Sequence, residues 1–449
     1  MPTKKKSILR DLGDGLVLRR STRADADALA EFNAKIHSDE GPEKPDERVH
    51  AWTYDLLTRP HPNFREDDFT IVQDSQTGKI VSSMNLISQT WSYAGIPFGV
   101  GRPELVGTDP EYRNRGLVRA QFEIIHQWSK ERGEEVQAIT GIPYYYRMFG
   151  YEMALNLGGG RVGFAVSLPK LKEGEEEPFQ VRPAGPADLN FIADLYRQSC
   201  ARSLVSCVWS ADLWQYELTG KSEKNVNRMD LRIIQDKNGG YIGYLAHPHF
   251  TWGPALVASA YELIPGISWA AATPSVIRYL FAAGKALAEQ EGKGADFGSF
   301  AFWLGEEHPV YAVLQNTLAR KRKPYAWYVR LPEVADFIRH IAPVLNQRLA
   351  ASSYSGHTGE LKITFYQSGL LLGFEDGMLV KAEPWKPTPV GHSGDAGFPG
   401  LTFLQLLFGY RSYEELNYAF ADCWWDHELA LGLLSALFPK HSSDIWPVA

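Results

Sequence analysis

Cysteine is nearly absent: three residues, Cys200, Cys207 and Cys423, in a chain of 449. A set so odd and sparse suits neither a disulfide framework nor a zinc site of paired cysteines. Long apolar runs are missing as well. No stretch reaches the roughly eighteen residues that a membrane-spanning helix needs, and the N-terminal lysines are not followed by an apolar segment of the signal-peptide kind, so a cytoplasmic protein is expected. Positive charge is in deficit, with a formal net charge of −7, which offers no general attraction to nucleic acid or to an anionic membrane. The basic clusters Lys4-Lys5-Lys6 and Arg320-Lys321-Arg322-Lys323 are local and read as solvated surface. What the chain does have is 44% hydrophobic and 12% aromatic residues, ample for several packed cores, and a length that suggests about two to four domains.

The stretch from Glu104 to Tyr151 is the most informative. The β-prone run Glu104-Leu105-Val106-Gly107-Thr108 feeds a turn marked by Asp109-Pro110, after which Leu117, Gln121, Ile124 and Trp128 fall on one helical face. The first N–H groups of such a helix have no intrahelical partner and its N-terminus is the positive end of the dipole, so an anion placed there is held by the main chain. Gly116 allows close backbone approach, and Arg113, Arg115 and Arg119 supply charged donors. This is the chemistry of a pyrophosphate seat without the lysine of a P-loop. A solvated helix start is the plainer reading of such clustered arginines.

The turn Arg113-Asn114-Arg115-Gly116-Leu117-Val118 resembles the acyl-CoA-binding motif of the GNAT-superfamily N-acetyltransferases, Gln or Arg, two residues, Gly, one residue, Gly or Ala. Val118 stands where the last small residue would be. Downstream, Val136-Gln137-Ala138-Ile139-Thr140 reads as a strand, and Tyr146, four residues before Gly150-Tyr151, resembles the superfamily's tyrosine before Gly-Phe. The resemblance implies an α/β (α+β) fold and acetyl-CoA as acyl donor. It places the cofactor on Val106, Gly107, Thr108, Arg113, Asn114, Arg115, Gly116, Leu117 and Val118, with no metal.

Taken in order, Leu16 to Arg20 is a short strand and Ser21 or Thr22 can cap the helix that follows. The polar segment from Ile36 to Pro62 covers the acceptor end. Phe69 to Val72 and Lys79 to Leu86 form a hairpin. A charged run from Leu168 to Pro178 reads as a linker, after which Phe179-Gln180-Val181-Arg182-Pro183 and Ala187-Asp188-Leu189 faintly repeat the opening of the chain. In this second copy Pro265-Gly266-Ile267-Ser268-Trp269 replaces the arginine turn, so no acyl-CoA site is expected there. His247 and His249 read as loop histidines rather than a metal pair.

Two such domains followed by a third resemble the enhanced-intracellular-survival (Eis-like) acetyltransferases, whose last domain is similar to sterol carrier proteins. The resemblance implies a catalytic GNAT domain over residues 1–168, a degenerate GNAT-like domain over 169–332 and a sterol-carrier-protein-like α+β domain over 333–449. It also implies a homo-oligomer, often a hexamer, and a terminal carboxylate delivered to the first domain's site; here the chain ends at Ala449.

An alkylamine of pKa about 10 is mostly protonated at neutral pH and must lose a proton before it attacks a thioester. Two bases compete, Glu104 and the α-carboxylate of Ala449, and a water relay stands beside them. Backbone N–H groups around Val106 and Thr108 are expected to face the oxyanion, and Tyr146 to protonate the leaving thiolate. The expected activity is acetyl transfer from acetyl-CoA to a primary amine of a small polyamine or aminoglycoside-like acceptor. The alternatives are a non-catalytic acyl-CoA or lipid-binding sensor and an acyltransferase acting on protein lysine.

Overall fold

The computed structural model describes residues 8–388 and 393–449, so the Lys4–Lys6 cluster and part of the glycine- and proline-rich stretch from Lys386 to Gly400 lie outside the described residues. The chain begins with strands β1 (Ile8–Gly13) and β2 (Leu16–Arg20), then helices α1 (Ala26–Ile36) and α2 (Glu47–Thr58). There follow β3 (Phe69–Asp74), β4 (Ile80–Tyr93), β5 (Ile96–Thr108), helix α3 (Leu117–Glu131), β6 (Val136–Ile139) and β7 (Glu152–Leu157). Asp46 starts α2 by accepting the N–H groups of Arg48 and Val49, and Asp74 closes the β3–β4 turn by accepting those of Gln76 and Thr77. Strands β1 to β5 are antiparallel neighbours in sequence order, and β6 joins β5 in parallel.

That parallel pairing covers only Val100↔Val136 and Gly101↔Gln137. Beyond Gly101 the two strands part, and the edge of β5 from Arg102 to Thr108 has no strand beside it. Leu105 adopts φ 52° at a register break between β4 and β5, where Asn85 faces Glu104 and Ser83 faces Gly107. An extra residue bulged into a strand re-aims the side chains around it. Leu105 packs with Phe69, Ile71 and Ile87, whereas Val106 packs with the cluster that holds Tyr146.

The second half of the tandem is built the same way. Phe179–Pro183, Met229–Asp236, Tyr241–Pro248 and Ala260–Leu263 form an antiparallel sheet, and Ala255–Ala258 runs parallel to Ser299–Phe302. Ala255–Ala258 and Ala260–Leu263 are two parts of one interrupted strand that splays as β5 does. The helix between them and Ser299 is Trp269–Gln290, which Ser268 caps at its start.

The two halves exchange a strand. Tyr325–Arg330, from the second, lies between β6 and β7 of the first, and Gly160–Phe164, from the first, lies between Ser299–Phe302 and Arg320–Arg322 of the second. The C-terminal part has a five-stranded sheet with the helices Val334–His340, Ala342–Ala350 and Glu428–Leu437 packed on it. Its core is continuous with the first sheet: Phe337, Leu345 and Phe408 share one buried cluster with Trp91, Tyr93, Phe98 and Trp327. Among the described residues no helix is long and apolar enough to cross a membrane.

Candidate active site

A cleft of about 790 Å³ opens where β5 and β6 separate. Val106, Gly107 and Thr108 form one wall, and Arg113, Asn114, Gly116, Leu117, Val118 and Arg119 form the floor at the start of α3. Gly116 is the residue before the helix, at φ 74°, with Asn114 at φ 62° just ahead of it. No side chain caps α3, and the first bond into it runs from the Ala120 N–H to the Gly116 carbonyl. Among the described residues the N–H groups of Asn114, Arg115, Gly116, Leu117, Val118 and Arg119 therefore have no acceptor. A Cβ on Gly116 would meet nothing within 4 Å, so the turn is open at this residue. Consecutive unpaired N–H groups at a helix start are an anion seat.

The corresponding helix of the second half gives the contrast. Its Ser268 hydroxyl accepts the N–H of Ala271, so its own side chain occupies the helix start. The arginine turn and its open amides belong to the first half alone.

Around the turn, Arg115 lies over the Tyr112 ring at 5.0 Å, and the Tyr112 hydroxyl donates to Asp74 at 2.8 Å. Arg115 does not line the cleft, unlike Arg113 and Arg119. Gly107 is obligatory for packing: a Cβ there would meet Ile36 Cγ2 at 2.8 Å, because the end of α1 presses on the bulge.

Tyr146 sits in a 3-10 turn over Tyr145–Phe149, 3% exposed, its ring edge-on to Phe122, Tyr145, Tyr151 and Tyr328. It lies behind Tyr145 and Phe149, which line the cleft. Burial, and next the charge of nearby Glu104, push the Tyr146 phenol well above its usual range, so it is held protonated. The turn is fastened by the exchanged strand: Tyr144 adopts φ 66° and donates its N–H to the Tyr328 hydroxyl at 2.5 Å. Tyr328 is a residue that sequence reasoning missed, since it lies in the other half of the tandem.

On the opposite face of β5, Arg102 and Glu104 stand two residues apart and pair at 2.5 Å. Burial pushes the Glu104 carboxyl above the ordinary carboxylate range, and Arg102 opposes the shift. The C-terminal segment arrives here. Ser443 accepts the Val205 N–H, the Trp446 carbonyl accepts from the Trp209 indole at 2.9 Å, and the Val448 carbonyl accepts from both Gln89 and Arg102 at 2.8 Å. Ala449, 4% exposed, ends among Trp52, Phe69, Ile87 and Leu105. Gln89 and Arg102 were also missed by the sequence reading; an arginine and a glutamate two apart on one strand was the available signal.

The loop histidines are engaged by protein: His247 bonds the Pro248 carbonyl and the Tyr279 hydroxyl, and His249 the Arg228 carbonyl.

The family described as acetyltransferase (GNAT) domain matches residues 18–154, the span from β2 into β7 that contains the open helix start and the tyrosine turn. Residues 18–154 form a GNAT acetyltransferase domain. The protein is thus an acyltransferase. Three solved structures share the architecture of the whole chain with this protein. A GCN5-related N-acetyltransferase from Kribbella flavida is 17% identical, with 96% of this chain and 97% of that chain covered and a TM-score of 0.61. One from Anabaena variabilis ATCC 29413 is 14% identical over 96% of this chain and 99% of that one, TM-score 0.62. Eis1 from Mycobacterium abscessus is 13% identical over 95% and 99%, TM-score 0.54. At these identities the likeness is one of fold, and it extends the tandem GNAT arrangement over both halves. No curated protein sequence matches the chain.

Proposed function

We propose that the chain transfers an acetyl group from acetyl-CoA to a primary amine of a small-molecule acceptor such as a polyamine or an aminoglycoside-like compound. The observation that carries this reading is the run of six unpartnered N–H groups from Asn114 to Arg119 on the floor of an open cleft. They bind the diphosphate, with Arg113 and Arg119 adding charge, and the pantetheine arm lies along the free edge of β5 with its thioester near Val106. The N–H groups of that edge take the oxyanion. The acceptor enters from the face of β5 that carries Glu104.

A base, Glu104 or the α-carboxylate of Ala449, removes the amine proton directly or through water. The nitrogen lone pair then bonds the thioester carbon, the carbon–sulfur bond breaks, the thiolate takes a proton from Tyr146, and the second proton lost by nitrogen returns through solvent to restore the phenol. Its raised pKa keeps the phenol loaded beforehand but makes it a weaker acid than the thiol, pKa about 8.5, that it serves, so the transfer accompanies bond cleavage rather than preceding it. Arg113→Ala should weaken acetyl-CoA binding about tenfold by calorimetry. An unchanged dissociation constant contradicts the diphosphate assignment.

The reading divides the chain into a catalytic domain over 1–168, a degenerate GNAT-like domain over 169–332 that lends a strand, and a sterol-carrier-protein-like domain over 333–449. It also carries a cytoplasmic location and a homo-oligomer, to be read by light scattering on the purified protein. One observation favours a second reading, that of a binding protein. A cavity of about 740 Å³ in the C-terminal part is lined by Leu331, Val334, Phe365, Leu370, Leu401 and Phe403, the chemistry of an apolar-ligand site.

A further inference from the structure

Buried side-chain amides almost always have partners, so one with neither atom bonded marks a place built for something else. Asn85 is fully buried on β4, and both Oδ1 and Nδ2 lack a partner. Its place in the sheet is specific. Asn85 pairs with Glu104 of β5 on one side and Phe69 of β3 on the other, and directly opposed residues of an antiparallel pair put their side chains together on one face. Beside it Glu104 Oε1 is held by the Arg102 guanidinium at 2.5 Å, and the Nε–H of that guanidinium has no acceptor. The Trp52 indole N–H, in the apolar cluster that holds Leu105 and Ala449, is a third unpartnered group on this face.

These groups converge on the bulge at Leu105, on the side of the sheet away from the tyrosine turn. The surroundings are apolar, with Phe69, Ile87 and Leu105 packed around them. The polar neighbours on the same face are otherwise satisfied: the Ser83 hydroxyl donates to Asn33, and Gln89 donates to the Val448 carbonyl. What Asn85 presents here is an amide oxygen with free lone pairs and an amide N–H pair, next to the Glu104 carboxylate that Arg102 holds.

We infer that Asn85 is a specificity-determining residue that holds the acceptor amine. Its Oδ1 accepts one N–H of the incoming nitrogen and leaves the lone pair free toward the thioester, while Nδ2 donates to the water that the amine brings with it. The seat takes a primary amine, which meets the Asn85 amide and the Glu104 carboxylate with Phe69, Ile87 and Leu105 packed around them. This inference rests on the acetyl-transfer reading above and adds the contact that orients the acceptor.

The test compares the full-length wild type with Asn85→Leu and Asn85→Ser on a panel of unbranched primary alkylamines. Thiol release gives kcat and KM for each amine, and calorimetry gives amine and acetyl-CoA binding separately. Both variants should raise the KM for amine at least tenfold and leave the acetyl-CoA dissociation constant within about twofold. Asn85→Leu, which removes an unpaired buried amide, should keep or raise the melting temperature. An unchanged amine KM overturns the inference, as does a lowered melting temperature with parallel loss of acetyl-CoA binding, which is the mark of a structural amide. If Asn85→Leu does not fold, Asn85→Ser alone decides by the same criteria. Wild type that releases no thiol with any amine overturns the acetyl-transfer reading, and amines bound by wild type but not by the variants then still support the seat, whereas amines bound by neither overturn it.

Discussion

Glu104 and Tyr146 lie on opposite faces of the first sheet, near the bulge of β5 where Leu105 adopts φ 52°. Because burial raises the Glu104 carboxyl, its use as the base sets the acid limb of kcat/KM above the ordinary glutamate value of about 4.3: activity is lost as pH falls through the raised pKa and is full above it. Glu104→Gln should abolish that limb. If the limb instead persists in that variant, the base is not Glu104. Tyr146→Phe should lower kcat by about 100-fold or more while acetyl-CoA binding holds, and stopped-flow thiol release reads both. Unaltered turnover would remove the phenol from the reaction. At this scale the sequence was legible where spacing is local. Its distance to Gly150 selected Tyr146 over its neighbours Tyr144 and Tyr145; in the structure Tyr146 is the buried one of the three, whereas Tyr145 lines the cleft. Asn85 was not legible, because nothing in a β-strand sequence says that an amide inside it will lack a partner.

At the scale of elements, the arginine turn and the helix after it could be read because their signals are contiguous: Asp109-Pro110 ends the strand, and the apolar positions of α3 repeat with helical spacing. The parting of β5 from β6 has a cause that is visible only in three dimensions. Gly101 is the last residue of the parallel pairing, and a Cβ there would lie 2.4 Å from the Glu134 carboxylate and 2.5 Å from the Ser129 hydroxyl. The close approach of α3 and the loop before β6 at this point fixes where the cleft begins. Gly101→Val should therefore cost about 1–3 kcal/mol in urea unfolding, the usual range for overpacking, and should weaken acetyl-CoA binding because the wedge moves. The bulge itself was not legible, since leucine is a poor residue for a positive φ and no turn residue announces it.

The whole molecule is held together less by domain boundaries than by what crosses them. Tyr325–Arg330 fills a place in the first sheet and brings Tyr328 beneath the tyrosine turn, while Gly160–Phe164 fills the equivalent place in the second. The faint repeat of the opening of the chain, Leu18 to Asp25, by Phe179–Pro183 and Ala187-Asp188-Leu189 was enough to suggest two copies, and the two arginines make the same bond, Arg19 to Asp25 and Arg182 to Asp188. The exchange was not legible, because a strand's sequence encodes its burial and not its neighbour. Residues 1–168 expressed alone should lack cooperative unfolding, since β6 and β7 lose the strand between them; a sharp two-state melt would show that the exchange is dispensable.

The central claim is that the cleft at Gly116 delivers an acetyl group to nitrogen. The measurement that bears on it most directly is thiol release from acetyl-CoA by the full chain over a panel of primary amines, with the product weighed by mass spectrometry. The account predicts release that depends on the amine, an N-acetylated product, and a sharp loss of both in Tyr146→Phe. Acetyl-CoA bound tightly with no amine-dependent release from any member of the panel would contradict it.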